Sequence, residues 1–142
     1  MNDLRYTKAL AIARIAHNKQ FRRDGTTPYI NHVLDVASRC TTIATRIVAL
    51  MHDVLEDNET FTPEILIDFG FETAIVDAVV TLTKKEGQAY EDYLVGVKAD
   101  FLARDVKIAD MISNLADTPT PKQIEKYIKG LAFLTQCEQS TM

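Results

Sequence analysis

The sequence predicts an all-α fold, and three observations support that prediction. Apolar residues recur at helical rather than strand spacing, as at Ile43, Ile47, Leu50 and Val54. Gly and Pro residues and capping side chains separate the periodic segments. The composition, with 46% hydrophobic and 25% charged residues in 142, is globular and sufficient for one core. We therefore expect a single helical domain over residues 1–142.

The first two helices are separated by a loop that contains both Gly and Pro. Helix one is predicted over about residues 3–18, with His17 forming a helix-ending hydrogen bond. The stretch 22–28 then has the composition of a loop. Pro28 is expected to open helix two, through about residue 39, because its fixed φ suits the first helical turn.

The third helix is predicted over about residues 42–56, followed by a polar stop at 57–60. A short fourth helix follows, with Thr62 as its N-cap and Gly70 as the left-handed residue that ends it. The remaining helices are predicted over about residues 72–82, 90–98, 101–115 and 122–136. Five large side chains at core spacing are expected to pack inside: Met51, Phe69, Phe71, Phe101 and Phe133.

Charge and composition exclude several classes of function. A net charge of −4 disfavours a nucleic-acid binder, although a metal and local cations could still attract an anionic small molecule. The sequence has no apolar run long enough to span a membrane and no secretory signal, so we expect a cytoplasmic protein without a membrane partner. Cys40 and Cys137 are expected to be free thiols. The oligomeric state is left open.

The segment around His52 is the most informative part of the chain. Four polar residues, His52, Asp53, Glu56 and Asp57, interrupt an otherwise apolar helix. On a continuous helix their spacing of three and four places them on one face. Burial of such groups without partners is costly, and a bound cation can satisfy an imidazole and several carboxylates together.

Two other segments repeat this pattern. Lys107, Asp110 and Asn114 share one face of a later helix, and His32 lies on the helix that Pro28 opens. Two imidazoles and two carboxylates favour Mn²⁺, Fe²⁺, Co²⁺ or Zn²⁺ over Ca²⁺. Taken singly, each residue also fits a structural role, such as a hydrogen-bonded pair or a solvated helix end.

The joint order is more specific, because His, then His-Asp about twenty residues on, then a distant Asp is the ligand order that names the HD superfamily. The stretches 22–32, 50–57 and 107–114 together resemble the hydrolase domain of the RelA/SpoT family. The resemblance covers roughly residues 9–134. It implies a helical HD-type domain that acts as a small alarmone hydrolase, with no synthetase domain.

The resemblance also implies roles for individual residues. His32, His52, Asp53 and Asp110 would hold one Mn²⁺, and Glu56 and Asp57 would position and activate the attacking water. The residues implied to bind the nucleotide substrate are Arg22, Arg23, Lys107, Asn114 and Tyr127. The reaction implied is metal-dependent hydrolysis of the 3′-diphosphate of (p)ppGpp, or of a related purine alarmone, to pyrophosphate and GDP or GTP.

The sequence departs from the family pattern at several positions. Val33 replaces a common Pro, the loop before Pro28 has one extra residue, and Met111 and Ala116 replace two basic residues. The loss of two cations keeps a second hypothesis open, an HD phosphohydrolase acting on another nucleotide or phosphoester. A third hypothesis is a non-catalytic, antitoxin-like binding module.

Overall fold

The computed structural model describes residues 3–136, and within them it contains nine helices and no strand, apart from an isolated bridge between Phe21 and Pro28. The prediction of an all-α fold is confirmed. The helices, in chain order, are α1 Leu4–Ala16, α2 Tyr29–Ser38, α3 Ile43–Met51, α4 Val54–Asp57, α5 Pro63–Asp68, α6 Thr73–Leu82, α7 Tyr90–Ala99, α8 Phe101–Leu115 and α9 Pro121–Thr135.

Helix α3 lies at the centre of the fold, where it packs against α1, α2, α6 and α8. Its five consecutive residues 47–51 are fully buried. The segment 47–51 is enclosed by neighbouring helices and must be apolar around its whole circumference, and this explains its unbroken hydrophobic sequence. His52, the next residue in the chain, therefore lies directly after the buried end of α3 and is itself buried.

Replacing Ile47 by alanine is expected to lower the free energy of unfolding by about 2–5 kcal/mol, because the vacated volume lies among fixed neighbours. The matched control is Ile43→Ala on the same helix, since Ile43 is 41% exposed whereas Ile47 is fully buried. Urea denaturation of both variants measures the difference. Equal losses would contradict the central position of α3.

The prediction of one continuous helix over residues 42–56 is wrong. Helix α3 ends at Met51, Asp53 has φ −109° and ψ 3°, and α4 begins at Val54. The Ala49 carbonyl, which would accept from the Asp53 N–H in a continuous helix, instead accepts from His52 Nδ1 at 2.6 Å. Glu56 and Asp57 therefore belong to a separate helical turn.

Other helix boundaries follow the sequence signals closely. The Thr62 hydroxyl accepts from the Ile65 N–H, and Gly70 has φ +98°, as predicted for a cap and a left-handed stop. Helix α2 begins one residue after Pro28. At the end of α1, His17 Nδ1 hydrogen-bonds to Gln20 Oε1 at 2.8 Å.

The core prediction is confirmed for Met51 and Phe71, which are buried, and Phe133 is partly buried against the core. It is wrong for the other two side chains. Phe69 is 44% exposed and Phe101 is 66% exposed. Both stand at the edge of a helix, Phe69 as the C-cap of α5 and Phe101 as the first residue of α8. Residues at helix ends are less enclosed by neighbouring helices, so helical spacing alone overestimates their burial.

Cys40 is a buried free thiol, and Cys137 lies outside the described residues. Burial raises the pKa of the Cys40 thiol. Among residues 3–136, none of the helices combines the length and apolar character that a membrane crossing needs.

Candidate metal centre

Three helices deliver the predicted metal-binding side chains to one place. His32 comes from α2, His52 and Asp53 follow the end of α3, and Asp110 comes from α8. One potential ligand atom from each of His32, His52 and Asp53 lies within 4.8 Å of the other two. The group is capable of holding a metal ion.

Asp110 lies directly beside this group. Its Oδ1 is 2.8 Å from His32 Nε2 and 3.5 Å from His52 Nε2. Its other oxygen, Oδ2, accepts a hydrogen bond from Lys107 Nζ at 2.9 Å. One carboxylate oxygen thus faces the two imidazoles while the other is held by an ammonium group.

His52 is oriented with its Nε2 towards the carboxylates. A carbonyl oxygen can only accept, so the 2.6 Å contact with Ala49 O places a proton on His52 Nδ1. Nε2 is buried and makes no well-directed hydrogen bond, although Asp53 Oδ2 is only 3.0 Å away. In a typical metal-binding histidine, one ring nitrogen donates a hydrogen bond to a carbonyl, and the other has no hydrogen bond and is free to bind the metal.

These observations show that the side chains fit a divalent cation. The donor set is two imidazole nitrogens and two carboxylate groups, which suits borderline divalent ions. With neutral imidazoles, Asp53 and Asp110 carry two negative charges against one positive charge on Lys107. The surplus negative charge would be balanced by a bound cation.

Burial and charge act in opposite directions on these groups. Burial alone would lower the pKa of Lys107 and raise that of Asp110. Their mutual attraction, together with the contacts of Asp110 with the two imidazoles and the other charges near Lys107, reverses both shifts. Burial raises the pKa of Tyr29, and the charge of Asp53 raises it further. Tyr29 therefore remains a neutral hydroxyl, and it donates a hydrogen bond to Asp53 Oδ2.

Glu56 and Asp57 lie on α4, and both are exposed to solvent. Partial burial raises the pKa of Glu56, and the charges of Asp53 and Asp57 add to that shift. Asp57 Oδ2 accepts from Gln20 Nε2 at 3.0 Å. Because the helix breaks at Asp53, these two carboxylates are positioned by α4 and the α1–α2 loop, and not by a shared face with His52.

A cavity of about 300 Å³ opens beside the metal-binding group. Four of the five residues predicted to bind substrate line it: Arg22, Arg23, Asn114 and Tyr127. The fifth, Lys107, is absent from its lining, as are Glu56 and Asp57. Lys107 is instead engaged with Asp110.

The two arginines are held by the loop between α1 and α2. Arg22 Nη2 donates to Asn114 Oδ1 at 3.2 Å and to Asp117 Oδ2 at 3.0 Å. Arg23 Nη1 donates to Gln123 Oε1 at 2.8 Å. Asp24 closes the loop by accepting from Thr26 and Thr27. Both guanidinium groups are thereby directed along the cavity wall.

Known proteins share both the sequence and the fold. The mouse protein named guanosine-3′,5′-bis(diphosphate) 3′-pyrophosphohydrolase MESH1 is 31% identical, in an alignment that covers 94% of this chain and 84% of the mouse protein. The chain belongs to the RelA/SpoT family of HD hydrolase domains. No protein-family model matches the sequence.

Other members of the RelA/SpoT family are much longer than this chain. The Haemophilus influenzae guanosine-3′,5′-bis(diphosphate) 3′-pyrophosphohydrolase is 33% identical over 73% of this chain, but the match spans only 17% of that protein. A solved structure described as "A metazoan ortholog of SpoT hydrolyzes ppGpp and plays a role in starvation responses" has a TM-score of 0.77. Its alignment covers 94% of this chain and 86% of that one at 23% identity, and it supports the fold.

One departure from the RelA/SpoT pattern has a structural explanation. Met111 is fully buried, and a Cβ at Gly130 of α9 would lie 2.6 Å from Met111 Cε. Position 111 therefore packs α8 against α9, and it does not line the cavity. Ala116 likewise lies outside the cavity lining.

Three residues that support the candidate metal centre were not predicted from the sequence. Tyr29 donates to Asp53, Gln20 connects His17 to Asp57, and Ser113 contacts His32 Nδ1 at 3.2 Å. Ser113 lies three residues after Asp110, and that spacing on one helix was the only signal available. Tyr29 and Gln20 have no distinguishing pattern.

Proposed function

We propose that this protein hydrolyses the 3′-diphosphate of guanosine 3′,5′-bis(diphosphate), ppGpp, or of a related purine alarmone, using one divalent metal ion. Water adds to the phosphorus bonded to O3′, the P–O3′ bond breaks, and the products are pyrophosphate and GDP, or GTP for the pentaphosphate. The observation that carries the proposal is the cavity in which His32, Asp53 and Asp110 face Arg22 and Arg23.

The choice of ppGpp as the substrate is supported by the names of two relatives. The mouse and Haemophilus influenzae proteins are both named as 3′-pyrophosphohydrolases of this nucleotide. The cavity volume of about 300 Å³ is at the lower end of the range for ligand pockets. It therefore suits the diphosphate and part of the nucleoside, with the remainder lying along the loop of Arg22 and Arg23.

We propose His32, His52, Asp53 and Asp110 as the ligands of Mn²⁺. A bound divalent ion supplies Lewis acidity, which lowers the pKa of water and polarises a phosphoryl oxygen. Lys107 holds one oxygen of Asp110, and Tyr29 holds one oxygen of Asp53. These two contacts fix both carboxylates in place before metal or substrate binds.

Glu56 and Asp57 are proposed to orient the attacking water and to take up its proton. The proposal is supported by their position on α4, which begins directly after Asp53, and by the exposure of both side chains to solvent. A raised pKa makes Glu56 a better proton acceptor than an ordinary glutamate at neutral pH. Gln20 holds Asp57 and limits its movement.

A second candidate function is hydrolysis of another phosphoester by the same HD centre. The observation in its favour is that Met111 and Ala116 are uncharged, so this chain lacks two cations of the family pattern. A substrate with fewer phosphates would need less positive charge.

A substrate panel separates these two functions. Purified protein with Mn²⁺ is incubated with ppGpp, its adenosine counterpart, GDP, GMP and AMP, and the products are resolved by mass. The proposal expects pyrophosphate from the 3′-diphosphates and nothing from the other nucleotides. Orthophosphate from the monophosphates, with ppGpp unchanged, would establish the second function instead.

Arg22→Ala is expected to raise KM for ppGpp by about tenfold or more, with a smaller change in kcat. A planar guanidinium can stack on a base and contact phosphate, and such binding is made equally in the ground and transition states. Steady-state kinetics measure the split. Arg14→Ala is the control, because Arg14 is exposed on α1. A fall in kcat with unchanged KM would contradict the binding role.

A further inference from the structure

A chain of hydrogen bonds runs from the protein surface to the buried ring of His32. Arg39 Nε donates to Asp35 Oδ2 at 2.9 Å, and the Ser113 hydroxyl lies 2.6 Å from the same oxygen. Ser113 Oγ is also 3.2 Å from His32 Nδ1. His32 and Ser113 are buried, whereas Asp35 and Arg39 reach the surface.

The direction of each hydrogen bond follows from the groups involved. Asp35 is paired with the Arg39 guanidinium, so its carboxylate is ionised and can only accept. The Ser113 hydroxyl must therefore donate its one proton to Asp35. Its oxygen is then left to accept a proton from His32 Nδ1.

This sequence of donors fixes the tautomer of His32. With the proton on Nδ1, the lone pair of Nε2 points towards Asp110 Oδ1, which is 2.8 Å away. Two acceptors at this distance repel each other unless a cation or proton lies between them. The chain from Arg39 to His32 thus prepares Nε2 as a metal ligand.

We propose that Ser113 and Asp35 are positioning residues that hold His32 in its metal-binding tautomer and thereby set the affinity of the centre for its ion. The inference rests on the metal centre of the proposed function and is independent of the substrate. His52 gains the same orientation from the Ala49 backbone carbonyl. The tautomer of His32 depends on the side chains of Ser113 and Asp35. A substitution can therefore change the tautomer of His32, whereas that of His52 is fixed by the backbone.

Metal titration tests this role directly. Co²⁺ binding is followed by visible absorption for the full chain and its variants, without substrate. Ser113→Ala is expected to weaken Co²⁺ binding by about 10- to 100-fold, the usual effect of losing an outer-shell partner of a metal-binding histidine. Ser113→Thr, which keeps a hydroxyl, is expected to restore most of the affinity.

Two further variants complete the experiment. Ser38→Ala removes an exposed serine from α2 and is the control for the substitution itself. Asp35→Ala removes the acceptor altogether, so the Ser113 proton can turn towards His32 Nδ1 and reverse the tautomer. We expect it to weaken Co²⁺ binding by about tenfold or more. Because the chain has only three histidines, ¹⁵N NMR of the rings can report the His32 tautomer without metal.

Wild-type affinity in Ser113→Ala or in Asp35→Ala would overturn the inference. Affinity that Ser113→Thr fails to restore would also overturn it, because the hydroxyl would then not be the cause. If Ser113→Ala does not fold, Asp35→Ala and Ser113→Thr still decide the question. Weaker Co²⁺ binding in a protein that leaves ppGpp intact would support the positioning role while refuting the proposed substrate.

Discussion

Asp53→Ala is expected to remove both the metal ion and the activity. Asp53 contributes one of three mutually close ligand atoms, and without it the carboxylate near His52 Nε2 is that of Asp110, at 3.5 Å. Elemental analysis should give close to one ion per chain for the wild type and almost none for the variant. Turnover should fall to that of wild-type protein treated with chelator.

The matched control is Asp77→Ala, because Asp77 is exposed on α6, away from the centre. It should keep its metal and its turnover. One ion per chain is expected because the described residues contain a single group of mutually close ligand atoms, that of His32, His52 and Asp53. An Asp53→Ala protein that retains a full ion would contradict the ligand assignment, and two ions per wild-type chain would contradict the mononuclear centre.

Glu56→Ala and Asp57→Ala are expected to keep the metal and to lose about 10²- to 10⁴-fold in kcat, the usual contribution of a positioned acid or base. Their carboxylates lie on α4 and are exposed, outside the group of mutually close ligand atoms. Elemental analysis and single-turnover kinetics on the same samples measure the two effects. Loss of the ion from Glu56→Ala, as complete as from Asp53→Ala, would make Glu56 a ligand.

The same assignment predicts a pH dependence. Glu56 accepts a proton only when it is ionised, so turnover should fall as pH decreases through its pKa. That pKa lies above the usual glutamate value, because of partial burial and the charges of Asp53 and Asp57. Asp57→Asn removes one of those charges, and the acidic limb of the pH–rate profile should then move to lower pH. A limb that moves to higher pH would contradict this coupling.

The helices were predictable because their signals are local. The Thr62 cap, the Gly70 stop and the 101–115 helix depend on residues within one or two turns of each other. The break at His52 was missed because it depends on a side chain taking the Ala49 carbonyl from the helix ladder. A hydrophobic pattern does not report such a competition.

The candidate site was predictable where residue type limits the chemistry. Histidines and carboxylates in an apolar context require partners, and this requirement allowed the four proposed ligands to be identified from the sequence. The supporting contacts could not be predicted in the same way, because they join distant parts of the chain. His32 and Asp110 are 78 residues apart in sequence, and Ser113 and His32 are 81 apart. Apart from its spacing of three residues from Asp110, nothing in the sequence distinguishes Ser113 from a solvent-facing hydroxyl.

The most direct test of metal-dependent 3′-pyrophosphate release follows both products of ppGpp with the purified chain. After removal of metal by chelation, the protein should be inactive, and Mn²⁺ should restore release of GDP and pyrophosphate in equal amounts. ³¹P NMR distinguishes pyrophosphate from orthophosphate in the same sample. Release of orthophosphate from ppGpp, or full activity in the presence of chelator, would contradict the proposed function.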